Sequence, residues 1–369
     1  MPDPRLTIVL LLKGRLPFTR RWLAHAKDFL PFPVLVADGS ADDEAREAAA
    51  VCRELAAAGK PVEYVRYPYD ADLGLFYAKI ADAVGRVRTP YAVLADNDDF
   101  FEAGALKACV DFLDSNPDHV ACGGRMVGFT VDGERFGRVY GRKVSFQPQN
   151  ASYELSAPSA AERVRLQFAN YRPTWYDVHR SEVLENAAQT LKAAAPKDIF
   201  LMELWTSFLA AAAGPIRHLP RAYLFRQRNT PSSAAADEAD KGGYLHRSLA
   251  ESWKSDSGSL CADIAAAVAE RDGIPIERVL PAIRASFEAR IAAAISSEEA
   301  DRPHRRRLAQ AKSTLSSNIL GRAVLPLLKA MTGAIRRLRA SPLSPADRPA
   351  ARALAAFLTD ARRTPRLIS

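Results

Sequence analysis

Of the 369 residues, 48% are apolar and 25% charged, an ordinary globular balance that excludes a wholly disordered chain. No apolar run nears the roughly 18 residues that a membrane-spanning helix needs. The 51 Lys and Arg against 43 Asp and Glu give a net charge of +8, but residues 301–369 alone carry +12, which leaves −4 on the first 300. With its basic excess confined to the tail, the front of the chain has no basic patch for nucleic acid, and none is expected as a partner.

Leu6–Leu12 is a continuous apolar run that stops at Lys13-Gly14-Arg15. It reads as a strand buried on both faces rather than a secretion signal, which wants a longer run and small residues after it. Arg20–Leu30 suits a helix with Thr19 as its cap, and Pro33–Ala37 a second strand ending at Asp38-Gly39-Ser40. Asp42–Ala58 is rich in Ala, Glu and Arg and reads as a helix, with Gly59 past its end. Val62–Tyr67 alternates like a strand, and Leu75–Val87 is a helix. Tyr91–Ala95 is a fourth strand, ending at Asp96-Asn97-Asp98-Asp99. Ala105–Ser115 is helical and Val120–Gly124 begins another strand. Residues 126–150 read as strands or a long loop, 160–168 and 198–213 as helices, and Ile216–Gln227 as a returning strand. Residues 232–242 read as a mobile loop, and beyond 244 the chain is mostly helical. The alternation of strand and helix predicts an α/β fold with an open, mostly parallel sheet.

Ligands of such sheets sit beyond the carboxyl ends of the strands. Two strands end there in acid, at Asp38 and at Asp96–Asp99. Close carboxylates repel one another and are commonly held by a cation; a hard divalent ion takes oxygen ligands and completes its shell with substrate phosphates. Three other uses of the quartet fail on spelling. A calcium-binding loop needs Gly and Glu where Phe101 and Lys107 stand. An aspartyl-phosphate enzyme would want Thr at Phe100. The phosphate-cradling G-x-x-x-x-G-K-[ST] loop is absent, as is G-x-G-x-x-G. The four cysteines, Cys52, Cys109, Cys122 and Cys261, form no C-x-x-C pair, which excludes a recognisable zinc cluster and fits a reducing, cytoplasmic setting.

Three segments taken together, Val34–Ser40, Gly74–Lys79 and Tyr91–Asp99, resemble the family-2 glycosyltransferases, over roughly residues 5–230. The resemblance implies the GT-A fold, a Rossmann-like open sheet flanked by helices, and an enzyme of hexosyltransferase type that moves a sugar from a nucleotide-diphospho-sugar to an acceptor hydroxyl with inversion. A UDP-sugar is the favoured donor, and a glycan or lipid-linked molecule the acceptor, as in bacterial-type surface glycan synthesis. By the same resemblance Asp38 contacts the nucleobase, and Lys79 holds nucleotide or diphosphate. Ile80 follows it where the family has Asn. Asp96 lies near the ribose, Asp96 and Asp98 take Mn2+ or Mg2+, and Asp99 faces the acceptor. Lys197-Asp198 resembles the family's E-D motif, which makes Asp198 the base, with Glu203 in reserve. Trp175 and Tyr176 resemble the acceptor segment, and Arg226 and Arg228 the basic segment that closes over the diphosphate.

The expected organisation is a glycosyltransferase domain over 1–230, a helical extension over 231–300 and a basic, partly disordered tail over 301–369. In the tail, residues 317–339 carry apolar and basic faces at helical spacing, interrupted by Pro326. Such a helix can lie on an anionic membrane surface or pack on its own domain. Membrane docking would make the protein peripheral on the inner face. Residues 341–350 read as a linker. Two other functions fit parts of the pattern. A non-catalytic sugar-nucleotide or glycan-binding module would keep Asp38 and Asp98 without needing Asp198. A nucleotidyltransferase would want a Gly-rich basic first loop, of which Lys13-Gly14-Arg15 is a faint echo.

Overall fold

The computed structural model describes residues 3–133, 138–148, 152–230, 241–317 and 343–360. Its centre is Leu6–Leu12 (β1), buried at every position as a strand covered on both faces must be. Parallel to it lie Val34–Asp38 (β2) on one side and Tyr91–Asp96 (β4) on the other, and Val62–Arg66 (β3) pairs parallel to β2. The crossovers are Leu16–Phe29 (α1), Asp42–Ala57 (α2) and Leu73–Gly85 (α3). So β1 leads to β2 and β3 in one direction, and the chain then returns to the other side of β1 for β4.

The sheet continues through Phe100–Phe101 (β5), Ala121–Asp132 (β6), Lys143–Pro148 (β7), Tyr153–Leu155 (β8), Val178–Arg180 (β9) and Ile216–Gln227 (β10). Its order is β3-β2-β1-β4-β9-β6-β10-β5, with β7 beside β6 and β8 beside β10. The short β9 is antiparallel to both β4 and β6, so β6 and its parallel neighbour β10 run with the first four strands. The result is an α/β sheet whose long strands share one direction, as the alternation predicts. The pairing of Phe100 and Phe101 with Phe225 and Leu224 ties the loop after β4 to the end of β10.

Ala103–Ser115 (α4), Ala160–Ala169 (α5), Ser181–Ala194 (α6) and Ile199–Ala213 (α7) complete the flanking helices. Beyond the sheet follow Tyr244–Ser248 (α8), Glu251–Asp272 (α9) and Ile276–Ser317 (α10). Trp253, Leu260, Ile264 and Phe287 on α9 and α10 join the same hydrophobic cluster as the sheet, so the helical region shares the sheet's core.

Two expectations change. The first helix starts at Leu16, not Arg20: Pro17 suits a first turn, while the expected cap, Thr19, is buried and accepts from Asn97 Nδ2 at 3.0 Å. The stretch read as a linker at 341–350 leads from Leu343 into Arg348–Thr359 (α11), whose Leu354, Phe357 and Leu358 are buried. Asp347 secures that docking by accepting from Ala222 N at 2.7 Å and from the Arg125 guanidinium. The other readings on the tail, the basic face over 317–339 and the loop at 232–242, lie almost wholly outside the described residues. Among the described residues no helix is long and apolar enough to cross a membrane. All four cysteines are free and buried.

Candidate active site

Because the chain passes from β1 to β2 on one side and returns to β4 on the other, the loops after β1 and β4 diverge and leave a crevice between them. Leu11 is in register with Asp96, so Leu12–Arg15 and Asp96–Asp99 face each other across it. The end of β10, brought alongside by β5, adds Arg226, Gln227, Arg228 and Thr230, and α7 adds Phe200 and Glu203. These loops enclose a cavity of about 640 Å³.

The three carboxylates of the acidic quartet do not converge on one point. Asp96 Oδ2 accepts from the Tyr176 hydroxyl. Asp98 is gripped at both oxygens by Arg15, with Nη1 3.0 Å from Oδ2 and Nη2 3.1 Å from Oδ1, and Thr230 Oγ1 donates to Oδ2 at 2.8 Å. Asp99 takes Arg226 Nε at 3.0 Å and the backbone N–H of Gln227 at 3.1 Å.

These partners set the charges. Burial raises the Asp99 carboxyl, and Asp98 and Asp96 add to the push against the pull of Arg226; it ends at about 7. Burial, then the neighbouring Asp98, also raises Asp96. Asp98 goes the other way: burial pushes it up, but Arg15, Thr230 and Arg21 together hold it below the ordinary value. Arg21, fully buried beneath the loop, donates to Val139 O at 2.7 Å and Gln227 Oε1 at 2.8 Å, and burial pulls it down to about 10.

A divalent ion does not fit this donor set as it is arranged. Both Asp98 oxygens carry a guanidinium, both Asp99 oxygens carry protein donors, and one Asp96 oxygen carries a phenol. Among the described residues no three His, Cys, Asp or Glu side chains gather to hold a metal ion.

Residues 14–163 match the family described as Glycosyl transferase family 2. That segment is similar to a family-2 glycosyltransferase domain. It holds the acidic quartet and the loop after β1, while α7 and the end of β10 lie past the matched residues. No curated protein matches the chain. Among solved structures, S. aureus TarS 1-349 aligns at 14% identity over 81% of this chain and 92% of that one, with a TM-score of 0.44. Its complexes with UDP-GlcNAc and with UDP give TM-scores of 0.41 and 0.40 at 13% and 14% identity, over the same shares of each chain.

The cavity brings most of the expected site residues together. Asp96, Asp98, Asp99, Trp175, Tyr176, Glu203, Arg226 and Arg228 all line the cavity. Three others do not line it. Asp38 is fully buried and accepts from Ser40 N at 2.8 Å and Tyr64 Oη at 2.9 Å. Lys79 is 1% exposed, pairs with Asp70, and donates to Leu12 O at 2.8 Å. Both side chains are thus engaged within the protein beside the strand ends. Asp198 caps α7 through Phe200 N at 2.8 Å and pairs with the buried Arg247 Nη1, also at 2.8 Å. Of the two base candidates, Glu203 is the one whose carboxylate opens on the cavity, where Tyr171 Oη donates to it at 3.0 Å.

The residue that the sequence reading left unassigned is Arg15. It occupies the left-handed region, φ 61 and ψ 44, immediately before α1. A side chain is disfavoured there. The signal was a lone arginine in a strand-end loop, and nothing in its spacing links it to a quartet over eighty residues later.

Proposed function

We propose that the cavity transfers a sugar from a nucleotide-diphospho-sugar to an acceptor hydroxyl, with inversion, and that Glu203 is the base. The observation that carries this reading is the sharing of one cavity by Glu203 and the basic pair Arg226 and Arg228, at the crevice where such sheets bind ligands. In glycosyl transfer the transition state resembles an oxocarbenium ion, and negative charge builds on the departing phosphate oxygen. Arg226 and Arg228, both at the cavity wall, can meet that charge with charge-assisted contacts.

The acceptor hydroxyl attacks the anomeric carbon from the face opposite the diphosphate, and its proton passes to a Glu203 carboxylate oxygen. A positioned general base contributes about 10²–10⁴-fold. Trp175 and Tyr176 supply the flat apolar wall against which a sugar ring can rest. A UDP-sugar is the favoured donor, and a glycan or lipid-linked molecule the acceptor. Asp198, bound to α7's first turn and to Arg247, positions the helix that carries Glu203.

The test is a panel of nucleotide-sugars, scored by release of the nucleoside diphosphate with and without candidate glycan acceptors. Glu203→Gln is expected to lower turnover by about a hundredfold or more while donor affinity stays within a few-fold. Unchanged turnover in Glu203→Gln removes it as the base. Donor binding with no turnover of any donor and acceptor pair would favour a non-catalytic binding module.

A further inference from the structure

The quartet after β4 poses a charge problem: three carboxylates in four residues, two of them raised by burial. The surroundings answer it with guanidinium groups. Arg15 holds Asp98, Arg226 holds Asp99, and Arg21 lies below with its Nη2 3.4 Å from the Asp98 carbonyl oxygen. Three cations thus face three carboxylates within the protein itself. Arg15 is the central one: besides both Asp98 oxygens it reaches Asn97 Oδ1 at 2.5 Å, and Asp96 and Asp99 add to the attraction.

Arg15 is also held in place by its backbone. Its left-handed conformation is fixed on either side: Gly14 N donates to Ser40 Oγ at 2.7 Å, Leu16 N to Glu44 Oε1 at 3.1 Å, and Asn97 Nδ2 to Gly14 O at 3.3 Å. A side chain kept in a disfavoured conformation by so many bonds marks a position the surrounding structure over-determines.

We propose that Arg15 is the built-in cation of this cavity: it holds the place on Asp98 that a divalent ion would take, so a nucleoside diphosphate binds here without added metal. The inference rests on the nucleotide-sugar reading above. A metal entering at Asp98 has to displace a two-pronged guanidinium and then sit beside Arg15, Arg21 and Arg226. With the quartet neutralised from within, the diphosphate meets Lys13 and Arg228 at the cavity wall; among the described residues neither is paired with a carboxylate. A bidentate guanidinium matches the planar carboxylate as a single metal-free unit.

Two measurements test it. Isothermal titration with UDP, in EDTA and in Mn2+, is expected to give affinities within about threefold of each other for the wild type, and Arg15→Gln to lose about tenfold or more in EDTA, with Mn2+ restoring part of the loss. Electron paramagnetic resonance of Mn2+ with protein alone is expected to show no tight site in the wild type and a new one in Arg15→Gln, absent again in Arg15→Gln/Asp98→Asn. Arg15→Lys, which keeps the charge but not the two-pronged grip, should fall between. Wild-type UDP binding that vanishes in EDTA and returns with Mn2+ overturns the inference, as does a tight wild-type Mn2+ site removed by Asp98→Asn. If UDP binds under no condition, the nucleotide-sugar reading fails, while the resonance arm still decides whether Arg15 excludes the metal.

Discussion

Phe357 stands edge-on to Phe100, with ring centroids 6.1 Å apart at 71°. Phe100 follows Asp99 directly, so α11, the last helix among the described residues, packs against the end of the acidic quartet. The same ring reaches His25 on α1 at 5.4 Å and Tyr140 at 6.2 Å, and Phe357 is 3% exposed. Truncating a buried Phe to Ala costs about 3–5 kcal/mol, part of it the cavity left behind. Phe357→Ala is therefore expected to lower the unfolding free energy measured in urea by that amount and to weaken UDP binding as the loop loosens. An unfolding free energy within about 1 kcal/mol of wild type would mean that α11 is not docked in solution.

A second prediction concerns a buried pair. Lys79 and Asp70 form an ion pair in which each side chain is 1% exposed. Burial raises Asp70 and lowers Lys79, each toward its neutral form, while each partner opposes that shift. Removing one member strands the other, at about 3–5 kcal/mol. Lys79→Met should show that loss in urea denaturation, and Lys79→Met/Asp70→Leu should recover much of it. Gly39→Ala should destabilise by the same route, since a Cβ there would lie 2.4 Å from Asp70 Oδ1. If Lys79→Met keeps its stability but loses UDP affinity, Lys79 touches nucleotide after all.

The contrast between Lys79 and Arg15 shows what the sequence could convey. Periodicity placed the parallel strands, and Ile216–Gln227 is a strand over the same residues that the pattern indicated, because apolar runs bounded by turns encode burial directly. The acidic quartet was legible as a site because three carboxylates at a strand end demand an explanation. Which cations answer them was not legible, because Arg15, Arg21 and Arg226 come from α1, its preceding loop and β10, and only tertiary packing brings them to Asp98 and Asp99. Lys79 and Asp38 carried the family pattern, yet their side chains turn inward to Asp70, Tyr64 and Ser40. Short elements such as β8 and β9, three residues each, owe their pairing to neighbours and leave no local signal.

The pH dependence of stability should carry the mark of Asp99. Its carboxyl titrates at about 7 in the folded chain against an ordinary 3.8. Between those values the folded state holds a proton that the unfolded state has released. Its contribution to stability is therefore complete below the unfolded value and is lost as pH rises through the folded one. Asp99→Asn cannot ionise. Its stability relative to wild type should rise as pH is taken from about 4 to about 8, then level off. Urea midpoints at several pH values check this; parallel profiles for the two proteins would show that Asp99 stays ionised throughout.

The last prediction separates a helix cap from a base. Asp198 gives one oxygen to Phe200 N and the other to Arg247, and the Arg247 guanidinium lies 3.8 Å from the centre of the Phe200 ring. Both carboxylate oxygens are thus spent on structure, and Arg247 is fully enclosed. In Asp198→Asn the amide oxygen can keep the cap, but the buried guanidinium loses its counter-charge, an uncompensated burial worth about 3–5 kcal/mol. The expected outcome is a clear fall in thermal midpoint with turnover reduced less than about tenfold at a temperature where the variant stays folded. Arg247→Met should lower stability in the same way and leave the Glu203 pathway working. If instead Asp198→Asn folds as well as wild type and turnover drops by about a hundredfold or more, the proton goes to Asp198, and Glu203 is confined to holding Tyr171.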